Sequence, residues 1–173
     1  MFFLNTNSDE IYFKNVELNQ LIKIHKWYNN IGEYRFATGV DIPITFDDML
    51  RKYFNIMSSS EEFFVGIYNV LDNMVGLLKG RVIFKEKVVW IKTLMVGTEF
   101  RGKGYGKKTV NLLLDYLIKK TDVKKIYLTV AKENKRACDF WKKQGFEEVE
   151  NHINSNEKKI KLLFLCKNIQ KVY

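Results

Sequence analysis

Residues 96–117 read VGTEFRGKGYGKKTVNLLLDYL. Three of the protein's ten glycines fall here at alternate positions, Gly102, Gly104 and Gly106, and an amphipathic pattern begins directly behind them. Val110, Leu113, Leu114, Leu117 and Ile118 recur at the spacing of one helix face, which predicts a helix over about 105–120. Lys119 and Lys120 fall in its last turn, where they complement the helix dipole. The start of such a helix leaves four backbone N–H groups without internal partners. Its summed dipole acts there like about half a positive charge. Glycine lets the preceding loop turn tightly and lets a ligand approach the bare backbone. Arg101, Lys103, Lys107 and Lys108 add full charge, so the stretch reads as an anion site suited to phosphate. The plainer alternative is a surface turn that needs glycine only for its shape.

Two familiar phosphate loops fail on this stretch. GTEFRGKG, from Gly97, has the glycine and the Gly-Lys of a P-loop, but Gly104 stands where Ser or Thr should hold magnesium. The dinucleotide fingerprint requires a small third residue, and Lys107 or Thr109 stands there instead, depending on the frame.

Outward from the loop, residues 61–96 are rich in β-branched and aromatic side chains and are punctuated by Asp72-Asn73 and by Lys85-Glu86-Lys87. Strands are expected over about 62–69, 75–84 and 88–96, the first two joined by a tight turn into an antiparallel meander. Behind the helix, KKIYLTVA (124–131) reads as a strand with Ile126, Leu128 and Val130 on one face, parallel to 88–96 across a right-handed crossover. NKRACDFWKKQGF (134–146) reads as a short helix, capped by Asn134, with Ala137, Phe140 and Trp141 inward and Gly145 as a left-handed stop. KKIKLLFLCKNI (158–169) gives a last strand. Upstream, NVELNQLIKIHKWYNN (15–30) places Leu18, Leu21, Ile22 and His25 on one helix face and ends near Asn29-Asn30, with Gly32 beyond. ITFDDMLRKYFNIM (44–57) gives a second helix capped by Thr45, with Met49, Leu50, Tyr53 and Phe54 as its stripe. The expected order is two helices, three strands, helix, strand, helix, strand: a mixed α/β fold, with residues 1–173 forming one domain.

A chain of 173 residues suits one domain. Its 46% apolar and 14% aromatic content excludes a disordered protein. The net charge of +9 points to nucleic acid, a membrane surface or an anionic ligand, or to nothing more than a solvated lysine-rich surface. No nucleic-acid motif is present, so that partner ranks low. Cys138 and Cys166 make no disulfide framework. MFFLNTNSDE lacks the basic leader of a signal peptide, and no run approaches the ~18 apolar residues of a membrane helix. A cytoplasmic protein with reduced thiols and no membrane contact is the expectation. His25 and His152 are too few and too far apart to suggest a metal.

A third pattern fits the loop. Arg101-x-x-Gly104-x-Gly106, preceded by WIKTLMV and followed by the helix, resembles motif A of the GNAT superfamily of acyl-CoA-dependent N-acyltransferases. Asn134, Ala137, the aromatic Phe140-Trp141 and the closing Gly145-Phe146 resemble the family's later element at the correct spacing, and VGLLKGRV sits where its central antiparallel strand would be. The resemblance covers residues 60–150 well. The first 60 residues match in outline only, with KWYNN similar to a stretch found after the first helix in one large branch.

The resemblance implies a mostly antiparallel sheet with a splayed central parallel pair, flanked by helices. It implies acetyl-CoA as co-substrate without a metal, an amine acceptor (a small molecule or a protein amine), and a monomer or homodimer. Carried over by position, the backbone of Leu94, Met95 and Val96 would hold the pantetheine arm and polarise the thioester carbonyl. Arg101, Gly102, Lys103, Gly104, Tyr105, Gly106 and Lys107 would cradle the pyrophosphate. Asn134 would bind the pantetheine side, and Trp141 would lie beside the sulfur. Asn134 as a plain N-cap and Trp141 as plain packing are the simpler readings. The chain also departs from the family. Many members have a tyrosine acid where Trp141 stands, and a glutamate base where Trp90 or Thr129 stands. The proton handlers are therefore unassigned, with Glu33, Asp41 and Tyr127 as candidates. Direct acetyl transfer to a primary amine is expected, the alternative being an acyl-CoA sensor of the same fold.

Overall fold

In this computed structural model, residues 1–150 and 161–169 are described. One eight-stranded sheet forms the centre. In chain order the elements are β1 (Thr6–Asn7), β2 (Ile11–Asn15), α1 (Leu21–Asn29), α2 (Ile31–Thr38), α3 (Phe46–Met57), β3 (Glu62–Asn69), β4 (Met74–Ile83), β5 (Val88–Val96), α4 (Tyr105–Lys120), β6 (Lys125–Ala131), α5 (Lys135–Lys143), β7 (Glu147–Glu148) and β8 (Leu162–Asn168). Their order across the sheet is β1-β2-β3-β4-β5-β6-β8-β7, with β5–β6 parallel and every other neighbour antiparallel. This is the mixed, mostly antiparallel sheet with one parallel pair that the sequence led us to expect. Residues 158–160 of the expected last strand, and His152, lie outside the described residues.

Helices cover both faces. On one, Val110, Leu113 and Leu117 of α4 and Trp141 of α5 pack on Val89, Ile91, Ile126 and Leu128. On the other, Leu21, Ile24, Trp27 and Tyr28 of α1 join Tyr34 of α2, and Met49, Tyr53 and Ile56 of α3, over Phe64, Leu77 and Met95. The α4 stripe follows its sequence period, and Gly145 ends the α5 segment at φ +78°.

Four expectations are corrected. The chain opens with two strands, and the alternation that seats β2 is Ile11 and Phe13 inward, both nearly inaccessible. The face of α1 is turned: Leu18 and Ile22 are exposed, while Ile24, Trp27 and Tyr28 are buried. Leu18 lies in a 3-10 turn, Leu18–Gln20, whose tighter winding shifts the phase, and the larger rings then determine the buried side. On α3 the stripe runs Met49, Tyr53, Ile56, leaving Phe54 outside. Finally, the chain does not leave helical structure after Asn30. It turns at once into α2, with Gly32 inside it, and that helix becomes a wall of the site.

Candidate active site

Strands β5 and β6 pair from Val88–Lys125 to Ile91–Leu128 and then part. On the other edge of β5, Lys79 pairs with Thr93 and Gly80 with Ile91, so Lys92 has no partner on β4. An extra residue of this kind bends its strand and increases the local twist. It falls where the pairing with β6 stops. Residues 92–96 and 129–131 consequently flank a gap instead of a ladder. The gap is a pocket of ≈ 110 Å³ that includes Thr93, Leu94, Thr129, Val130, Asn134 and Trp141 in its lining. It shares Leu94, Asn134 and Trp141 as a common wall with a cleft of ≈ 530 Å³ that runs to Arg101, Gly102, Gly104 and Gly106.

The glycine end has an uncapped helix. Side chains of Thr45 and Asn134 cap α3 and α5, but α4 starts at Gly104 with no side-chain cap. Gly104 and Gly102 take left-handed φ of +81° and +78°, which L side chains adopt only with strain. A Cβ at Gly102 would meet no heavy atom within 4 Å, so the backbone is open to a ligand. Only at Lys108 does an N–H find an intrahelical acceptor, the carbonyl of Gly104 at 3.0 Å; the N–H groups before it are the orphans that an anion satisfies. Arg101 and Lys107 line the cleft. Lys103 stands over the Phe100 ring outside that lining, and Lys108 reaches Glu10 at 2.6 Å.

The remaining sequence candidates separate. Leu94, Met95 and Val96 line the cleft, although the Met95 side chain itself is buried under α1–α3. Asn134 also lines it while its Oδ1 accepts from Ala137 N at 3.1 Å, so the capping role is real. Trp141 is 7% exposed, edge-on to Phe140 and Phe146, and forms wall rather than acid. Trp90 stacks on Tyr127 at 5.1 Å in the paired part of β5–β6, and Thr129 lies in the gap. Of the candidate bases, Glu33 is bound to Arg101 at 2.6 Å. Asp41 is exposed in the segment after α2 and outside the cleft lining. Burial, with the Cys166 thiol alongside, holds the Tyr127 phenol above its usual range, so it stays protonated at neutral pH. His25 holds the Ile44 carbonyl through Nε2, and buried Cys138 contacts the Ala131 carbonyl. Among the described residues no group of three or more His, Cys, Asp or Glu is placed to hold a metal, and no helix is long and apolar enough to cross a membrane.

The α2 contribution was not anticipated. The Tyr34 hydroxyl accepts from Thr98 N at 2.9 Å, and Arg101 lies over the Tyr34 ring at 5.0 Å. Arg101 thereby ties α2 to the glycine loop. Phe36 and Ala37 reach the gap, and Arg136, the second residue of α5, lines the cleft. The position of Arg136 next to the Asn134 cap was the available signal for it. For α2 there was little signal, because Tyr34 is its only buried residue.

Comparison with known proteins agrees with this geometry. The sequence model of the acetyltransferase (GNAT) family matches residues 22–146. The spermidine N(1)-acetyltransferase of Vibrio cholerae serotype O1 is 28% identical over 149 residues, 84% of this chain and 83% of that protein. N-alpha-acetyltransferase 50 of Danio rerio is 30% identical over 128 residues, 73% of this chain and 74% of that one. The crystal structure of the Vibrio cholerae spermidine N-acetyltransferase in complex with CoA and spermine superposes with a TM-score of 0.82, at 21% identity, covering 95% of this chain and 98% of that chain. With a family match over most of its length and a cleft between parted parallel strands, this chain belongs to the GNAT family and is an acetyl-CoA-dependent N-acetyltransferase.

Proposed function

We propose that the whole chain acts as one transferase domain and that acetyl transfer occurs by direct attack of an amine in the gap between β5 and β6. The observation that carries this reading is the end of the parallel pairing at Ile91–Leu128 beside the unpaired Lys92. Beyond that point the β6-facing edge of Leu94, Met95 and Val96 has no strand partner. It can hold the amides of the pantetheine arm as a ladder would. One N–H of this edge donates to the thioester carbonyl oxygen and stabilises the charge that develops there in the transition state. Gly102, Gly104, Tyr105, Gly106 and Lys107, with Arg101, take the pyrophosphate. Asn134 and Trp141 wall the arm near its sulfur.

Acetyl-CoA supplies an activated thioester, and this chain supplies position. Holding amine and thioester in line recovers about 7–11 kcal/mol of the barrier. Trp141 cannot act as the acid, since an indole N–H gives up no proton at neutral pH, so the thiolate leaves without help from that position. A free alkylamine has a pKa near 10.4, so at neutral pH only a small uncharged fraction attacks, and the proton it sheds as the thiolate leaves passes to solvent.

Titration calorimetry with acetyl-CoA tests the reading. One-to-one binding is expected, and no heat at millimolar ligand overturns it. Release of free thiol with an amine present separates turnover from binding alone.

A further inference from the structure

We propose that the acceptor is a small amine carrying an anionic group at its far end, held by Lys79, and not a polycation; this rests on the N-acetyltransferase reading above. The sheet face that α1–α3 cover continues beyond them as a less buried platform, with Lys79 and Trp90 half-buried and Arg81 exposed. Along β4 the residues on that face run Leu77, Lys79, Arg81, and across β5 they sit opposite Met95, Thr93 and Trp90. Trp90 in turn stacks on Tyr127 of β6, with rings 22° from parallel and both side chains half-buried. Thr93 lines the gap where the thioester would lie. Lys79 is therefore one strand spacing, about 4.8 Å, from Thr93, on the side of β5 away from the gap, where the far end of an acceptor would lie. It stands where the apolar core of Leu77 and Met95 gives way to the aromatic pair.

The charge on this platform is unbalanced. Lys79 is half-buried and, among the described residues, has no ion-pair partner. Glu62 attracts it but is ion-paired to Lys92, and Glu61 is ion-paired to Arg81. Burial presses the Lys79 ammonium below its usual range, Glu62 offsets part of this, and Lys92 and Lys52 press it further down. Lys79 is a half-buried cation whose attraction from Glu62 is shared with Lys92. A ligand carboxylate supplies a counter-charge, and a polyamine adds repulsion. The lining points the same way: Glu33 is its one acid among the described residues, already held by Arg101, whereas Lys92 at the gap is basic.

Three amines with the same five-carbon spacer test this: ε-aminocaproate with an anionic tail, hexylamine with a neutral tail and cadaverine with a cationic tail. Each is assayed by thiol release with acetyl-CoA. The expected order of kcat/KM is anionic, then neutral, then cationic, with roughly tenfold or more between the ends of the series, the effect of about one well-placed charge. Lys79→Met should remove the advantage of ε-aminocaproate over hexylamine while leaving the KM for acetyl-CoA unchanged. Lys79→Arg should keep the advantage. Equal rates, a faster cationic tail, no turnover of any of the three, or an unchanged preference in a folded Lys79→Met protein overturns the inference. The wild-type series decides alone if that variant does not fold. Calorimetry on the same samples separates the two failures: wild type that binds no acetyl-CoA overturns the underlying reading, and wild type that binds it but prefers cadaverine overturns only the acceptor assignment.

Discussion

Replacing Gly104 by Ala and by Glu separates a phosphate cradle from a mere turn. Gly104 precedes α4 at φ +81°, ψ −1°. Any L side chain there carries the left-handed penalty of roughly 1–2 kcal/mol. A Cβ itself meets only Lys108 Cε, at 3.8 Å, so the free protein has room for it. For a chain of this size about 1 kcal/mol moves Tm by roughly 2–4 °C. Both variants should therefore melt about 2–8 °C below wild type, by the same amount. Affinity should split them. A carboxylate about 5 Å from a phosphate charge is opposed by about 0.8 kcal/mol in bulk water and about 3 kcal/mol at an effective dielectric of about 20. Gly104 is exposed, so a value between these limits applies to each phosphate charge. Two such charges predict that Gly104→Glu binds acetyl-CoA at least about tenfold more weakly than Gly104→Ala. The ratio should shrink as salt rises from low ionic strength, where screening is weak, to molar concentrations. Calorimetric Kd values for the two variants, alongside their melting curves, give the answer. Equal affinities at equal stability would place the phosphates elsewhere and refute the cradle.

Two further outcomes follow from named contacts. Glu33→Gln should lower kcat by less than tenfold, measured by thiol release, because Glu33 is held by Arg101; loss of a true general base costs roughly 10²–10⁴. The same variant should leave Tm almost unchanged, since Glu33 is 47% exposed and surface pairs contribute about 0–1 kcal/mol. Tyr28 tests alkaline stability. Its burial raises the phenol to about 12, a shift that a hydrogen bond with Thr93 partly offsets. The folded pKa lies above the unfolded value near 10, so the contribution is complete below pH 10 and is lost as pH rises through about 12. Denaturant titrations of wild type and Tyr28→Phe should show a stability gap that narrows from pH 10 to 12 by about 1 kcal/mol per pH unit. A gap that stays constant would mean that the phenol ionises as readily folded as unfolded.

What could be read from the chain follows a physical division. The helix Tyr105–Lys120 stands where its apolar period put it, and the strands at Glu62–Asn69 and Val88–Val96 stand where β-branched and aromatic content and the breaks between them put them, because such runs are buried between the two helical layers. The glycine loop was legible for a different reason: a left-handed backbone at Gly102 and Gly104 restricts residue type directly. The resemblance, not the pattern, carried the splay. Nothing in WIKTLMV marks Lys92 as the unpaired residue, because a bulge is a property of two strands and only one is visible in a local stretch. Helix α2 was missed because its hold is remote: Tyr34 reaches Thr98, and Glu33 reaches Arg101, 68 positions away. β2 was legible in principle, since Ile11 and Phe13 alternate with Tyr12 and Lys14.

The same division bears on catalysis. A reaction driven by a dedicated acid or base needs particular side chains at particular positions, and those leave a signature. Here the positions that would carry them hold Trp90, Thr129 and Trp141, and the structure gives each another task. Trp90 stacks on Tyr127, Thr129 lines the gap, and Trp141 fills the wall between Phe140 and Phe146. On the reading proposed above, the thioester meets backbone at the unpaired edge of residues 94–96, and the pyrophosphate meets backbone at the open start of α4. Backbone groups can be aimed by a bulge and a left-handed glycine whatever the neighbouring side chains are. This accounts for a glycine loop written plainly in the sequence and an acid–base end that is not. It also makes acceptor choice the step that side chains control, which is where Lys79 stands.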